Sequence, residues 1–343
     1  MKPPSNAQLR IAAADAPAGF AWVYRFDETG KATPLGHDEK VELGSKDQGF
    51  LWLHLNLADV RSREWIKAQQ ALPEEARESL LGAQEHQQLA HDNRFVWGIF
   101  ADFLREFDKT SDTIGHMRFV IGGNFLLSAR RHPLHSAEAA RDAVRRGCRA
   151  EMPEDLFETI IGHAIEAIIV MVKGLSDEID AVEDRVLDDE IADERRRLGR
   201  IRRQAVRLRR QLDGMISIFR RIEQTHEGEL SEAIKAAASR LLQQIVSLYR
   251  DIGVVQERAR LLQEEVSAQL TDENNRNIYI LTILTSLLLP ATFVTGLFGM
   301  NTKGLFFAED ENGTLYAVGL CIIASIIVFG IMRGLNMLGK NKI

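Results

Sequence analysis

Cysteine is scarce in this sequence: the 343 residues include only Cys148 and Cys321, which stand far apart. That spacing excludes a disulfide framework and a cysteine-based zinc site. The chain also lacks a phosphate-binding glycine loop, a dinucleotide fingerprint and a nucleophile elbow. We therefore predict that it is not an enzyme and binds no cofactor. Its weak acidity, a net charge of −6, favours no nucleic-acid partner.

Histidine is scattered rather than clustered. The nine histidines form two close pairs, His86 with His91 and His132 with His135, and neither pair lies in a zinc-protease motif. Exposed or internally satisfied imidazoles are the simpler interpretation, so metal ligands in this region stay unassigned. The N-terminal residues 1–9 lack a basic flank followed by an apolar run, and no signal peptide is predicted.

Charge is absent from one long stretch near the C-terminus. No charged side chain occurs in residues 277–302, whereas every window of 18 residues before Asn275 contains one. Residues 278–298 supply 21 mostly apolar positions, and residues 315–332 supply 18 more. A membrane span needs about 20. The alternative, two buried core helices, would need apolar surface that the rest of the chain does not offer. The sequence therefore predicts a two-helix transmembrane hairpin.

Basic residues near the spans predict their orientation. They lie on the sides of the two termini: Arg276, Arg333, Lys340 and Lys342. The intervening loop has one base, Lys303, and three acids, Glu309, Asp310 and Glu311. We expect a multi-pass protein of the cell inner (plasma) membrane, with both termini cytoplasmic and the acidic loop outside.

The region before the spans divides into two parts. Residues 1–18 are rich in alanine and proline and are expected to be loose, and residues 19–150 read as an α/β domain. Alternating aromatic and branched residues predict strands at 20–26 and 50–57. A hairpin is predicted from 117–121 to 125–129, because Gly122, Gly123 and Asn124 suit a turn with positive φ. Helices are predicted at 61–72 and 74–88.

Residues 151–277 read as almost purely helical. Pro153 with two following acids is typical of a helix start. Apolar residues then recur every three or four positions, a period typical of helices packed on helices. The three runs are Ile160, Ala164, Ile168, Val172, Leu175, Ile179, Val182 and Val186; Leu198, Ile201, Ala205, Leu208, Leu212, Met215, Phe219 and Ile222; and Leu241, Ile245, Leu248, Ile252, Val255, Ala259, Leu262 and Val266. The third leads directly into the first span and predicts one stalk helix from Glu232 to Phe298, about 100 Å long.

Charge is segregated in this helical region. Residues 177–194 hold ten acids and one base, and residues 195–210 hold nine arginines and no acid. One interpretation is a pair of solvated, antiparallel helix faces that stabilise each other. The other is an acidic tip that concentrates cations near an inner vestibule.

One face of the first span is polar. Counting in threes and fours selects a stripe of residues, called the stripe below: Asn275, Ile278, Thr282, Thr285, Leu289, Thr292, Gly296 and Asn301. Hydroxyl groups in a span often bond only to their own helix, and Pro290 frees a carbonyl nearby. A stripe that ends in an asparagine also suits a water-filled path. One helix cannot enclose a pore, but several copies can.

The segment from Thr295 to Asn301 ends in Gly299-Met300-Asn301, which resembles the Gly-Met-Asn signature of the CorA metal-ion transporters. The position of this segment at the end of the penultimate span, the long stalk, the α/β domain and Pro290 extend the resemblance over essentially the whole chain. It implies a funnel-shaped homopentamer in a lipid bilayer, with the stalk helices around the pore, the second span (315–332) outside them and a basic cytoplasmic tail at 333–343.

The resemblance also implies roles for individual residues. Gly299, Met300 and Asn301, at the start of the external segment 299–314, would form a selectivity ring that meets the hydrated cation. The conduit would be lined by Asn275, Ile278, Leu281, Thr282, Thr285, Leu289, Thr292 and Gly296. Leu281 and Leu289 would be apolar constrictions. Amide oxygens can bind a divalent ion through its water shell, and hydrophobic rings can gate by dewetting.

The transported cation is less closely indicated. Magnesium-selective relatives follow the signature with a Met-Pro-Glu-Leu-like segment, which residues 302–307 do not match. Residues 126–136 resemble the ZntB (zinc) branch instead, so we expect zinc, with magnesium, cobalt or nickel as the alternative. Two other classes of protein are alternatives. One is a two-span signalling protein, although a loop of 13 residues leaves no room for a sensor domain. The other is a membrane-anchored scaffold.

Overall fold

The structure, a computed structural model, describes residues 19–36, 39, 41, 43, 49–92, 94–106, 109–188, 193–226, 230–300 and 312–334. The chain forms two compact units, residues 1–262 and 263–343. The boundary falls inside a helix, so the first unit contains the α/β domain together with the helical region that follows it. The expected loose N-terminus and basic tail lie outside the described residues, apart from Arg333 and Gly334.

A seven-stranded sheet forms the base of the first unit. Its strands are β1 Phe20–Phe26, β2 Ala32–Pro34, β3 Phe50–Asn56, β4 Gln88–His91, β5 Val96–Glu106, β6 Lys109–Gly122 and β7 Phe125–Arg130, in the spatial order β2-β1-β3-β7-β6-β5-β4. Only β3 and β7 pair in parallel, at the centre, with Leu53 opposite Leu127. Both are fully buried, as expected for a central strand covered on its faces. The strands predicted at 20–26 and 50–57 are confirmed.

The predicted hairpin is confirmed, but the reason given for its glycines is wrong. β6 and β7 pair up to Gly122 and Phe125, yet neither Gly122 nor Gly123 is among the glycines with positive φ. A Cβ at position 122 would lie 2.5 Å from the ring of Phe125. Gly122 is therefore required by the close approach of that ring and not by backbone conformation.

Three helices accompany the sheet: α1 Val60–Ala68, α2 Glu74–Leu81 and α3 His135–Arg145. The side chain of Asp59 caps α1 by accepting a hydrogen bond from the Arg61 amide. The two helices predicted at 61–72 and 74–88 exist but end earlier. The second ends at Leu81, because the backbone of Gly82 is not helical (φ −59°, ψ 163°), and Gln88 belongs to the edge strand β4.

The rest of the first unit is helical: α4 Pro153–Leu187, α5 Glu194–Glu223 and the N-terminal part of α6, which spans Glu232–Phe298. Every member of the three predicted apolar runs is buried. Side-chain contacts join α6 to both neighbours: Arg240 pairs with Glu158 of α4 at 2.5 Å, and Arg209 of α5 donates to Gln256 at 2.7 Å. The predicted continuous helix from Glu232 to Phe298 is confirmed.

The second unit contains the remainder of α6 and α7 Gly313–Gly334. Both helices are long and apolar enough to cross a membrane. They correspond to the predicted spans 278–298 and 315–332, although α7 begins two residues earlier and ends two later. Most of their large apolar side chains are exposed, for example Leu289 at 64% and Ile326 at 63%. Apolar surface of this extent requires a lipid or protein environment.

Candidate ion-conduction site

Two side chains of α7 contact the backbone of α6. Ser325 Oγ donates to the Leu287 carbonyl at 3.1 Å, and Cys321 Sγ lies 3.8 Å from the Ala291 carbonyl oxygen. Leu287 and Ala291 are four residues apart, and Val294, one turn further on, is buried. Small and hydroxyl side chains allow close approach and hydrogen bonding between membrane helices. These contacts define the face of α6 that α7 covers.

The stripe lies on the other side of α6. Thr285, Leu289 and Thr292 each stand two residues before a member of the covered set, which is about 200° around a helix of 3.6 residues per turn. All stripe residues from position 275 to 296 are exposed, and so is Leu281. The structure thus brings the predicted pore-lining residues to one face and leaves that face uncovered by α7.

The threonine hydroxyls of the stripe are bonded to their own helix. Thr282 donates to the Ile278 carbonyl at 2.8 Å, and Thr285 donates to the Leu281 carbonyl at 2.8 Å. Thr292 donates in the same way to a carbonyl four residues earlier. Each bond uses the hydroxyl proton and leaves the oxygen with lone pairs to accept. Such oxygens can receive hydrogen bonds from water around a cation, but they have no proton left for an anion.

The end of α6 carries the first two signature residues. The Gly299 amide donates to the Thr295 carbonyl at 2.9 Å, and Met300 is 51% exposed. A Cβ at Gly299 would lie only 3.1 Å from the Thr295 carbonyl oxygen, so the tight helix end favours glycine. Asn301 and the acids Glu309, Asp310 and Glu311 lie outside the described residues.

Ion pairs connect the two helices that carry the acidic and basic runs. Arg185 contacts Glu194 at 2.6 Å, and Arg197 lies 3.9 Å from Glu178, which is the order expected for antiparallel α4 and α5. The acidic run also holds α6, because Arg258 contacts both Asp180 and Glu183, at 2.7 and 2.6 Å. These contacts support mutual stabilisation of the helices, while Asp189 and Glu190 at the tip lie outside the described residues. The pKa of Arg258 is raised, chiefly by its hydrogen bonds to Glu183 and Asp180.

Among the residues that the structure describes, no three His, Cys, Asp or Glu side chains form a group that could hold a metal ion. The sequence did not reveal that Cys321 and Ser325 of α7 contact α6. It also did not reveal that Arg258 joins α6 to α4 through ion pairs with Asp180 and Glu183. The first pair has a visible signal, small polar residues four apart in an apolar helix. Arg258 has none, because its partners lie more than 70 residues away.

The comparisons with known proteins agree with this architecture. Residues 47–333 match the family model described as "CorA-like Mg2+ transporter protein". The zinc transport protein ZntB of Photorhabdus laumondii is 22% identical over 92% of this chain and 93% of its own. The divalent cation transporter CmaX of Pseudomonas aeruginosa is 24% identical over 86% of this chain and 90% of its own. The full-length CmaX structure superimposes with a TM-score of 0.78 at 22% identity, covering 94% of this chain and 99% of that one.

The family match extends over most of the chain, from the sheet through both apolar C-terminal helices. The similarity of fold covers 94% of the chain, which contains an α/β domain, a long helix that continues into the first span, and a second span. The chain therefore belongs to the CorA-like family of divalent-cation transporters and is a membrane protein.

Proposed function

We propose that this protein conducts zinc in preference to magnesium across the cell inner membrane, as a homopentamer in which five stripes surround one path. The observation that carries this proposal is the opposition of two faces of α6. Because α7 covers the side with Leu287 and Ala291, the side with Thr285 and Leu289 is available to the α6 helices of other copies. Five copies would convert one polar face into the wall of a pore.

The chemistry of the stripe suits a hydrated divalent cation. Its described residues carry no charge, so they cannot replace the water shell by carboxylate ligands, as a tight site would. Thr282, Thr285 and Thr292 instead present acceptor oxygens, because their protons are engaged by helix carbonyls. The ion would therefore pass with its water largely retained. Leu281 and Leu289, 63% and 64% exposed on the same side, would act as apolar rings that close the path when they dewet.

Selection would begin at the outer mouth. In this proposal, Gly299, Met300 and Asn301 end α6 there, and five Asn301 amides form a ring of oxygens for the arriving water shell. Glu309, Asp310 and Glu311 in the following loop would raise the local cation concentration through long-range attraction. This effect would weaken with salt, because the screening length is about 8 Å at physiological ionic strength.

The preference for zinc rests on relatives that are named zinc transporters, including ZntB of Photorhabdus laumondii. The stripe has no histidine or cysteine, so soft ligands would not select the ion. Magnesium, with cobalt or nickel, is the second candidate, and the family's own description as Mg2+ transporters favours it.

Both termini would be cytoplasmic, so that the first unit meets the cytosol. Arg276 before the first span and Arg333 after the second support this orientation under the positive-inside rule. A protease added to right-side-out vesicles should then spare the first unit and cut only the loop between the spans.

The test is metal uptake into proteoliposomes that contain the purified full-length protein. Zinc, magnesium, cobalt and nickel are supplied singly and in competition at equal free concentration. We expect zinc uptake to exceed magnesium uptake, and physiological magnesium to leave most zinc flux intact. Loss of zinc flux in magnesium would assign the chain to the second candidate. A signalling protein or scaffold would give no metal-dependent uptake.

A further inference from the structure

A cavity of about 180 Å³ lies in the first unit, between α4, α5 and the β5–β6 hairpin. Each helix contributes one face to it: Met171, Leu175 and Glu178 from α4, and Arg207 and Gln211 from α5. Within each set the residues are three or four positions apart, so their side chains lie on the same face of the helix. The ion-pair and stripe residues discussed above lie elsewhere, except for Glu178. No residue that lines the cavity belongs to the stripe.

Gly174 keeps this space open. It lies in the middle of α4, where glycine is less favourable than alanine by about 1 kcal/mol. A Cβ at this position would meet no atom within 4 Å, and the residue lines the cavity. Gly174 is exposed where it lines the cavity, so a larger side chain at 174 has free space beside the cavity and would narrow it. Glycine at this position is unfavourable for the helix but favourable for an open site.

Three polar side chains that line the cavity could form further hydrogen bonds or ion pairs with a ligand. Gln211 is only 6% exposed, and its Oε1 is buried without a hydrogen-bond partner among the described residues. A buried acceptor without a partner is unusual and costly. Arg207 lines the same cavity, is exposed to solvent, and forms no ion pair within the described part of the chain. Glu178 has only a long contact of 3.9 Å with Arg197. The walls thus present a cation, an anion and an amide acceptor beside apolar side chains.

We propose that this cavity binds a small zwitterion with an apolar tail, the chemistry of an apolar α-amino acid. The carboxylate would pair with Arg207, in the two-pronged manner that guanidinium favours. The ammonium would lie between Glu178 and Gln211 Oε1, and it would satisfy the buried acceptor. The tail would pack against Phe103, Met171 and Leu175. A simple carboxylic acid would leave Glu178 and Gln211 without a donor, and a simple amine would leave Arg207 unpaired.

The volume agrees with such a tail. An engineered apolar cavity of about 150 Å³ binds benzene, so a cavity of 180 Å³ accepts a branched aliphatic or phenyl group. Larger amphiphiles, such as lipids, exceed this volume. Leucine and phenylalanine are therefore the probes of choice.

The test is titration calorimetry on the purified full-length protein in detergent. L-Leucine and L-phenylalanine are compared with 4-methylpentanoate, which lacks the ammonium, and with 3-methylbutylamine, which lacks the carboxylate. We expect saturable binding of the amino acids and at least tenfold weaker binding of both analogues. Arg207→Gln should weaken leucine binding at least tenfold and leave the amine unchanged. Equal affinity for leucine and either analogue, or no saturable binding by the folded protein, would overturn the proposal.

Gly174→Leu is expected to narrow the cavity and should reduce leucine binding at least tenfold. Gly162→Leu is its control on the same helix, because a Cβ there also meets nothing within 4 Å while the residue does not line the cavity. Thermal unfolding verifies that both variants fold. If Gly174→Leu misfolds, the smaller Gly174→Ala, which should bind more weakly than wild type, takes its place. Unaltered leucine binding in a folded Gly174→Leu protein would also contradict the assignment.

Discussion

Ser325 Oγ of α7 donates a hydrogen bond to the Leu287 carbonyl of α6 at 3.1 Å. This contact fixes which side of the first span faces the second, because Leu287 lies on the side opposite to Thr285 and Leu289. Leu287 lies three residues before Pro290, whose missing amide proton leaves the carbonyl one residue earlier, that of Ser286, without its helix donor. One orientation of α6 about its own axis therefore determines both which residues contact α7 and which residues, those of the stripe, stay uncovered.

The hairpin contact predicts that Ser325→Ala destabilises the second unit modestly. Hydrogen bonds between membrane helices contribute about 0.6 kcal/mol on average, and at most about 1.7. Ala291→Leu should have a larger effect, about 1–3 kcal/mol, because it overfills the space beside Cys321. Unfolding of the detergent-solubilised protein gives both values. Ser267→Ala serves as the control, since its hydroxyl bonds only to its own helix, and an equal loss in this variant would contradict the role of Ser325.

The stripe predicts that Thr285→Val reduces cation flux by about tenfold or more, which corresponds to about 1.4 kcal/mol. The change keeps the shape of the side chain but, in the proposed pentamer, removes five acceptor oxygens from one level of the path. Thr295→Val is the matched control, because Thr295 also bonds to its own helix but is not part of the stripe. Uptake into proteoliposomes measures both. A similar decrease in cation flux in both variants would contradict a special role of the stripe in conduction.

Substitutions at two positions on α6 distinguish an effect on assembly of the proposed pentamer from an effect on folding. Ile252 is fully buried within its own chain, whereas Leu261 is 50% exposed and follows Val254, which is 60% exposed, by seven residues. Leu261→Glu should therefore weaken the pentamer while the chain stays folded. Ile252→Glu should unfold the first unit instead, because a buried unpaired charge costs several kcal/mol. Native mass spectrometry and circular dichroism distinguish the two outcomes, and an intact pentamer of Leu261→Glu would contradict the stalk packing.

A buried histidine makes the stability of the first unit depend on pH. His54 stacks on Trp22, its Nδ1 lies 2.7 Å from Ser128 Oγ, and Arg130 Nε donates to its Nε2 at 3.1 Å. The bond from Arg130 requires a neutral ring with the proton on Nδ1. Burial, followed by the charges of Arg130 and Arg141, lowers the pKa of His54 well below 6.5.

Below pH 6.5 the unfolded chain therefore takes up a proton at His54 that the folded chain does not. The free energy of unfolding should fall as the pH decreases from 6.5, by at most about 1.4 kcal/mol per pH unit from this residue. His54→Gln keeps a donor and an acceptor but cannot titrate, so its free energy of unfolding should depend less steeply on pH below 6.5 than that of wild type. Chemical denaturation at several values between about pH 5 and about pH 8 measures how the free energy of unfolding depends on pH in both proteins. Identical slopes in wild type and variant would contradict a neutral His54 in the folded protein.

Much of the architecture could be predicted from local pattern. The three apolar runs fixed α4, α5 and α6, because every turn of a packed helix repeats the same signal, and the charge-free stretch identified the spans. The strands β2, β4 and β5 were missed. β5 contains Asp102 and Arg105 within an apolar strand, and its pairing with β6 depends on residues farther along the chain. The buried Asp102 is satisfied by the amide and hydroxyl of Ser136, which only the tertiary fold brings near.

The stripe could be predicted because helical periodicity alone decides which residues share a face. The position of α7 against α6 could not, since apolar spans carry little information about which side faces which. The partners of Arg258 were equally inaccessible, because ten acids in one run offer no reason to prefer Asp180 and Glu183. The roles of Gly299, Met300 and Asn301 stay predictions.

The most direct test of the central claim compares cation flux and oligomer mass for wild type, Asn301→Ala and Asn301→Ser. If five Asn301 amides form the ring that first meets the hydrated cation, Asn301→Ala removes every ring oxygen and flux should collapse while native mass still shows five chains. Asn301→Ser should also transport poorly, because its shorter hydroxyl does not reach as far toward the axis. Near-normal flux through Asn301→Ala pentamers would contradict the selectivity ring.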